Sequence, residues 1–435
     1  MTYLDRIYQL DKAMAQLCKE MQVNGFAFDE AKAQELATFF RNKENNHRVD
    51  ITNLVQREAP AFYSRQEKRN KKGKITAQFN PMSTTQIGAL FFEEWGHPVW
   101  AQTETGSPAL DLEAKLQYIK LSEDPRVVQI CRELSQLQNA RKMRTTYIEN
   151  LPRRAGRVHV AWKNYGAVSG RFASRLMQLP RKGNDVSHHL GGGIRSLFYA
   201  PPGRKLVYFD AAQLELRVAA YVSQDPSYIH AVESSDAHAA NATMVFGPAF
   251  TGGDQDTKSR LRSISKTFIF AINYMAGSPT VHQQLVEQGF DIPLLAVEKM
   301  IKTLRAKYTV FFRYVDNNIK KCIKTGYVYS PLLGRRRYLG HDPIPTEVAN
   351  FPIQSGAADL VNLKLAQIAP AVKQLDPTAL FLAQVHDSAT FEVKENLAEK
   401  IGQACKAHFE DPILINGIPR SFPVDLKIVD NWSQC

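Results

Sequence analysis

The 435-residue sequence contains few cysteines, and they are widely separated: Cys18, Cys131, Cys322, Cys405 and Cys435. No CxxC pair occurs, so the sequence predicts neither a zinc site nor a disulfide framework. It also lacks an apolar run of the ~18 residues that a membrane helix needs. The N-terminus has early acids and no apolar signal core, so secretion is not expected. A reducing location, cytoplasmic or organellar, is the expectation.

Acidic residues are outnumbered by basic ones. Lys and Arg together number 55 and Asp and Glu 43, which gives a formal net charge of +12. Such an excess carries no information about fold but favours a polyanionic partner, with nucleic acid first and an anionic membrane surface second. Several of these basic residues lie in one glycine-containing stretch, residues 63–80. Its composition fits a solvated connector and a phosphate-contacting loop equally well.

Helical and strand-like patterns alternate in blocks along the chain. Residues 1–150 are mostly helical in pattern, strand patterns begin near residue 155, and residues 221–325 are helical again before further strands. Because strands and helices do not alternate regularly, the sequence favours an α+β fold over a doubly wound parallel sheet. The two strand blocks are expected to pair in one sheet, with the helical block inserted between them.

Two acids follow two of the apolar strands. Asp210 ends the stretch 206–209, and Asp387 follows His386 at the tip of a predicted hairpin. Carboxylates at neighbouring strand ends can hold two divalent cations, and oxygen ligands of this kind favour Mg²⁺. Taken singly, each acid also has an ordinary explanation, Asp210 as a helix N-cap and Asp387 as a turn residue.

A predicted helix carries two cations and two aromatic rings at every fourth position: Arg262, Lys266, Phe270 and Tyr274. At about 100° per residue these four side chains share one face of the helix. Cations can hold a triphosphate, and rings can stack on a base and sugar. Two solvated basic residues and two core aromatics would produce the same pattern.

Together these stretches resemble the signatures of the family A DNA polymerases, the group of bacterial DNA polymerase I and many phage replicases. The family's Asp-x-x-Gln-x-Glu-Leu-Arg is matched by DAAQLELR, residues 210–217, and its Arg/Lys/aromatic/Tyr helix by residues 262–274. Its His-Asp-Glu is present as HDS, residues 386–388. SGRFAS, DAHAANATMVFG, GRRRYLG and NFPIQSGAADL are supporting matches, so the resemblance covers nearly the whole chain.

The resemblance implies a right-hand fold and template-directed DNA synthesis from deoxynucleoside triphosphates on a primer-template. The thumb would comprise residues 1–150, the palm 151–222 and 338–435, and the fingers 223–337. Two Mg²⁺ ions are implied as cofactors, with Mn²⁺ as an acceptable substitute. No membrane partner is expected. Because DLE at 111–113 is the only Asp-x-Glu in the first 150 residues and has a helical context, no proofreading exonuclease is expected from this chain.

The resemblance also assigns roles to individual residues. Asp210, Asp387 and Lys266 are the implied catalytic residues, and the metal ligands are Asp210, Asp387 and the backbone carbonyl of Ala211. Glu215 is implied as a steric gate that leaves no room for a 2′-hydroxyl. The implied nucleotide-binding residues are Arg262, Lys266, Phe270, Tyr274, His238, Glu215 and Gln213. The implied DNA-binding residues are Arg171, Asn350, Gln354, His386 and Arg217.

The chain departs from the family pattern at three places. Ser388 replaces the usual acid after His-Asp, so a metal site could be weakened. Ala211 and Ala212 replace a bulkier pair, which matters less because the expected ligand there is a backbone carbonyl. Thr346 stands where the family often has an arginine, which removes one template contact.

Two rival functions are compatible with the same palm. A single-subunit RNA polymerase is one, and Glu215 argues against it because a gate residue excludes ribonucleotides. A nucleic-acid-binding relative without catalysis is the other, and the presence of both predicted metal carboxylates argues against it.

Overall fold

The chain is described by a computed structural model over residues 3–180, 192–234 and 236–435. It divides into two compact units. The first unit comprises Met1–Ala27, His159–Gln178 and Tyr199–Cys435, and the second comprises Phe28–Val158 and Leu179–Phe198.

The helices and strands are numbered in chain order. The helices are α1 (Tyr3–Asn24), α2 (Glu30–Glu58), α3 (Pro60–Arg65), α4 (Thr84–Gly88), α5 (Leu112–Leu121), α6 (Pro125–Arg144), α7 (Leu214–Ser223), α8 (Pro226–Glu233), α9 (Ala237–Phe246), α10 (Pro248–Thr251), α11 (Gln255–Asn273), α12 (Ser278–Glu287), α13 (Leu294–Lys307), α14 (Thr309–Thr325), α15 (Pro345–Leu375) and α16 (Ala398–Glu410). The strands are β1 (Phe26–Ala27), β2 (Lys68–Arg69), β3 (Ile75–Ala77), β4 (Arg153–Arg154), β5 (Arg157–Val158), β6 (Trp162–Lys163), β7 (Ala173–Ser174), β8 (Arg204–Ala211), β9 (Tyr327–Tyr329), β10 (Arg336–Tyr338), β11 (Leu380–Val385), β12 (Ser388–Lys394), β13 (Ile413–Ile415), β14 (Ile418–Arg420) and β15 (Val424–Val429).

The first unit is built on an antiparallel sheet in the order β11-β12-β8-β15. Val207 and Phe209 of β8 are fully buried, and the Phe209 ring packs 5.9 Å from that of Phe409 in α16. Because side chains alternate along a strand, Tyr208 and Asp210 face the opposite side of the sheet. The expectation that the two strand blocks pair in one α+β sheet is confirmed for β8 of the first block and for β11, β12 and β15 of the second, whereas β4 to β7, β9 and β10 pair outside this sheet.

The helical block between β8 and β9 is held by a buried acid. Asp225 accepts the N–H of Tyr228 in the first turn of α8 through one oxygen, at 3.0 Å. Its other oxygen accepts the N–H groups of Val310 and Phe311 in the first turn of α14, both at 3.0 Å. The first N–H groups of a helix have no partner within the helix, so one carboxylate caps two helices.

The second unit is mainly helical. Its core contains residues from α2, α5 and α6, including Leu54, Tyr118, Ile130 and Leu134, all buried. The basic stretch 63–80 contains the β2–β3 hairpin, whose residues are exposed. A two-stranded hairpin was not predicted here because the stretch has no alternating apolar pattern, and its role as connector or phosphate contact stays open.

Met1–Ala27, the N-terminal lead-in of the predicted thumb, is grouped with the first unit. The thumb, palm and fingers boundaries given above stay predictions. Within the described part of the chain, no helix is both long enough and apolar enough to span a membrane.

Candidate active site

The predicted metal acids are brought together at one end of the sheet. Asp210 is paired in register with Ser388 on β12 and with Asp425 on β15. Directly opposed residues of antiparallel strands point to the same face, so all three side chains face away from α16. The N–H of Ala211 donates to the backbone carbonyl of Asp387 at 3.1 Å, which places the two acid-bearing segments side by side.

Asp387 lies in the two-residue connection between β11 and β12, which confirms the predicted hairpin. His386 precedes it with a φ of 53°, the left-handed conformation that short hairpin turns require. The hydroxyl of Ser388 is buried and donates to the carbonyl of Val385 at 2.8 Å, which closes the turn. The residue that replaces the family's third acid is therefore used to build the hairpin.

A chain of one ion pair and several hydrogen bonds links Asp387 to the predicted gate. A guanidinium nitrogen of Arg171 donates to one carboxylate oxygen of Glu215 and lies 3.8 Å from Oδ1 of Asp387. The hydroxyl of Tyr274 donates to the other oxygen of Glu215, and Gln354 also bonds to this hydroxyl. Residues from five separate stretches thus meet at one site.

Burial and neighbouring charges shift the pKa values of Arg171 and Tyr274 in this chain of contacts. Burial alone would lower the pKa of Arg171, but the negative charges of Glu215 and Asp387 outweigh it and raise the pKa. Burial, followed by the charge of Glu215, raises the pKa of Tyr274 well above its ordinary value. Tyr274 is therefore a neutral donor at any physiological pH.

A side chain of α15 holds the loop that carries Arg171. The side-chain amide of Asn362 donates to the carbonyl of Gly170 at 3.3 Å. Gly170 has a φ of +89°, and a β-carbon there would approach Nε of Arg335 to 3.6 Å. That nitrogen donates to the fully buried Asp359 at 2.5 Å. Sequence reasoning missed Asn362 and gave no role to Arg335 or Asp359, which lie within the GRRRYLG and NFPIQSGAADL matches.

The predicted phosphate-binding residues lie on α9 and α11. His238 is buried, and its ring lies 6.1 Å from that of Phe270. Burial, and then the positive charges of Arg262 and Lys266, lower the pKa of His238 to about 4, so its imidazole is neutral at pH 7. Arg262 donates to Asp236 at 2.5 Å. Among the described residues, Nδ1 of His238 has no hydrogen-bond partner.

A cavity of about 420 Å³ adjoins these residues, between α11 and α12. It is lined by Ser263, Lys266, Thr267, Phe270, Gln284 and Gln288. Phe270 and Lys266 therefore line open space, and the nucleotide-binding role predicted for them stays a prediction. The helix itself is as predicted, with Tyr274 as its C-cap.

Three further predicted residues differ in whether their polar side-chain atoms already have hydrogen-bond partners. Arg217 donates to the carbonyl of Ala212 and to the hydroxyl of Tyr221, so its guanidinium holds the first turns of α7. By contrast, Oε1 of Gln213 and Oδ1 of Asn350 are buried and lack hydrogen-bond partners within the described ranges. Both can accept a bond from a ligand.

The donor chemistry at the sheet end fits a hard divalent cation. Two carboxylates, Asp210 and Asp387, and the carbonyl of Ala211 offer the oxygen ligands that Mg²⁺ prefers. A second group of possible metal ligands, the imidazole of His47 and the carboxylates of Asp50 and Glu133, lies in the second unit. There the imidazole of His47 already bonds to Glu133 at 2.6 Å.

The sheet and the helices inserted into it form the α+β right-hand polymerase fold, with an antiparallel-sheet palm and helical fingers and thumb. The chain belongs to DNA polymerase family A, whose family model matches residues 53–434. The predicted resemblance is thereby confirmed. Members of this family use divalent metal ions.

Named relatives agree with this assignment. DNA polymerase I of Chloroflexus aurantiacus is 26% identical over 99% of this chain and 43% of its own length. The thermostable DNA polymerase I of Thermus aquaticus is 27% identical over 81% of this chain and 42% of its own length. The POL domain of Pol1 from M. smegmatis, solved with DNA primer-template and dNTP, has a TM-score of 0.76 at 21% identity, covering 97% of this chain and 70% of that one. The chain thus spans less than half the length of these two curated relatives.

Proposed function

We propose that this chain is a template-directed DNA polymerase that adds deoxynucleotides to a primer 3′ end, with primer-template DNA and deoxynucleoside triphosphates as its partners. The observation that carries the proposal is the contact chain Asp387–Arg171–Glu215–Tyr274. It joins a predicted metal ligand, a predicted primer contact, a predicted sugar gate and a predicted base-stacking residue. Bacterial relatives favour a cytoplasmic place of action.

Asp210, Asp387 and the Ala211 carbonyl would hold two Mg²⁺ ions. Bound there, such ions would lower the pKa of the primer 3′-hydroxyl and neutralise charge on the triphosphate. Arg171, 3.8 Å from the Asp387 carboxylate, supplies a fixed positive charge beside these acids. Its hydrogen bond to Glu215 fixes the guanidinium beside Asp387.

The triphosphate would bind to α11 and the start of α9. Arg262 and Lys266 supply the charge, and neutral His238 supplies a hydrogen bond. Arg262 must exchange its bond to Asp236 for one to phosphate, so Asp236 competes with the nucleotide for the same guanidinium. Phe270 would pack against the sugar and Tyr274 against the base.

Glu215 would act as the gate against ribonucleotides. Both of its carboxylate oxygens accept hydrogen bonds, one from Arg171 and one from Tyr274. A side chain held at two points cannot move aside for a 2′-hydroxyl without losing a bond, and each lost bond to a charged group costs about 1.5–3 kcal/mol.

Primer extension tests the proposal and its rivals. A labelled primer-template is incubated with Mg²⁺ and either deoxy- or ribonucleoside triphosphates. Extension with deoxynucleotides alone is expected. Equal extension with ribonucleotides would favour the RNA polymerase, and binding without any extension would favour an inactive relative.

Ser388→Glu should lower the Mg²⁺ concentration needed for half-maximal extension. The new carboxylate would stand directly across from Asp210 and add a negative charge where a cation binds. The measurement is the extension rate against Mg²⁺ concentration, with Ser388→Ala as the control for loss of the Val385 bond. An unchanged or higher Mg²⁺ requirement in the Glu variant would show that the site is built around the serine.

Asn362→Leu should reduce kcat/KM for extension about tenfold. The substitution leaves the buried carbonyl of Gly170 unsatisfied, at a cost of about 1–3 kcal/mol, and loosens the loop that carries Arg171. If Asn362 acts through Arg171, it should have little further effect in an Arg171→Ala background. The four kcat/KM values of this cycle are the measurement.

A matched control for that cycle is Asn24→Leu. Asn24 also donates its side-chain amide to a distant carbonyl, that of Phe381, at 2.9 Å. Its effect should be small and additive with Arg171→Ala. Full additivity of Asn362→Leu with Arg171→Ala would instead mean that Asn362 does not position this loop.

A further inference from the structure

The β9–β10 hairpin presents an aromatic surface outside the site described above. Its register pairs Tyr329 with Arg336 and Tyr327 with Tyr338, so these four side chains share one side of the hairpin. We call this side the tyrosine face. The opposite side packs inward through Val328, which is buried in a small core. The two sides therefore have different chemistry.

The rings of the tyrosine face are already arranged for stacking. The Tyr327 ring lies 5.1 Å from that of Tyr338 and 6.5 Å from that of Tyr329. Tyr338 is 63% exposed, although its ring rests on Gly326, where a β-carbon would come within 2.7 Å of a ring carbon. Only glycine permits this approach, and it leaves most of Tyr338 exposed.

Positive charge surrounds these rings. The amine of Lys321 lies 4.5 Å from the centre of the Tyr329 ring, and the guanidinium of Arg336 lies 5.5 Å from that of Tyr327. Lys324 is exposed in the last turn of α14. In the described ranges no acid pairs with Lys321, Lys324 or Arg336, so their charge is available to a polyanion.

The hairpin is fixed to the helix that carries two predicted DNA contacts. Val328 packs with Val348 and Phe351 of α15, and Asn350 and Gln354 lie beside them on that helix. On the outer strand, Arg337 pairs with Glu347 of α15 at 2.6 Å. The tyrosine face is thus rigidly connected to the candidate site.

We propose that the tyrosine face binds single-stranded nucleic acid, namely the unpaired template strand of the proposed polymerase. Exposed rings stack on unpaired bases while nearby cations hold the phosphates, and this combination is independent of sequence. Duplex DNA fits less well because its bases are already stacked on each other. This inference rests on the proposed function for the identity of the strand.

The test compares primer-templates that differ only in the unpaired template, with an overhang of one nucleotide or of about ten. Wild-type protein should bind the long overhang about tenfold more tightly, since one stacked base contributes about that factor. Tyr338→Leu should abolish the difference and Tyr338→Phe should keep it. Leucine and phenylalanine both preserve apolar packing, so a merely structural role would not separate them.

Two further variants keep the result decisive. Tyr8→Leu is the matched control, because Tyr8 is 64% exposed on α1, and it should retain the preference. The double variant Lys321→Gln, Lys324→Gln alters only exposed helix residues and should reduce the salt slope of long-overhang binding by about 1.4, at about 0.7 per phosphate contact. A preference that survives Tyr338→Leu, or an unchanged salt slope, overturns the proposal.

Failure of the tyrosine face and failure of the polymerase assignment are distinguishable. Extension on the one-nucleotide overhang needs only the candidate site, so it should be equal in wild type and Tyr338→Leu. If extension occurs but no overhang preference is found, the role proposed for the tyrosine face is wrong and the polymerase proposal stands. If no variant extends the primer, the polymerase proposal fails whatever the binding data give.

Discussion

Replacing Asp387 or Asp210 by alanine should abolish primer extension while leaving primer-template binding nearly intact. The two carboxylates are the proposed metal ligands, and without either one the cations proposed to activate the primer hydroxyl would not be held. Binding should persist because the +12 charge supplies most of the affinity for DNA. In Asp387→Ala the guanidinium of Arg171 also loses one of its two neighbouring acids, so binding should be equal or tighter.

Single-turnover extension and equilibrium binding are the two measurements. Asp430→Ala is the matched control, because Asp430 lies just past the other end of β15 and pairs with Lys205 at 2.7 Å. That variant should extend normally. Appreciable extension by Asp210→Ala or Asp387→Ala would remove the two-metal assignment.

Phe270→Tyr should remove most of the discrimination against dideoxynucleotides. Phe270 lines the cavity beside α11 and lies near His238, where the sugar of a bound nucleotide is expected. A phenylalanine cannot replace a missing 3′-hydroxyl as a hydrogen-bond partner, and one unsatisfied polar group costs about 1–3 kcal/mol. This corresponds to roughly a tenfold to hundredfold bias in the wild-type protein.

The measurement is the ratio of incorporation efficiencies for a deoxy- and a dideoxynucleotide opposite the same template base. Phe270→Leu is the control, since it removes the ring without adding a hydroxyl and should keep the bias. A ratio near one in the wild-type protein would mean that Phe270 does not face the sugar. The roles assigned along α11 would then have to be reassigned.

Local patterns predicted the parts of the candidate site that depend on neighbouring residues. The apolar run before Asp210 gave strand β8, and the every-fourth spacing of cations and rings gave α11. The His-Asp pair between two apolar runs gave the hairpin turn. Each of these features follows from the spacing of apolar and polar residues within one segment, and this spacing can be read from the sequence.

The parts that were missed depend on contacts between distant segments. Asn362 and Gly170 are 192 residues apart, and Arg335 and Asp11 are 324 apart, so no local pattern indicates that they meet. The position of Asp425 beside Asp210 follows from strand register, which is set by pairing across more than two hundred residues. The hydrogen bonds of Arg217 within α7 and its start likewise could not be predicted, because a family signature specifies the residue type but not its hydrogen-bond partner.

The shared cap of Asp225 couples the stability of two helices that are far apart in sequence. If the first turn of α8 frays, the carboxylate that leaves it also releases the N–H groups of Val310 and Phe311 at the start of α14. Local opening of either helix start therefore removes part of the hydrogen bonding that holds this carboxylate in place for the other. In the language of native-state hydrogen exchange, the opening free energies of the two helix starts are expected to be coupled.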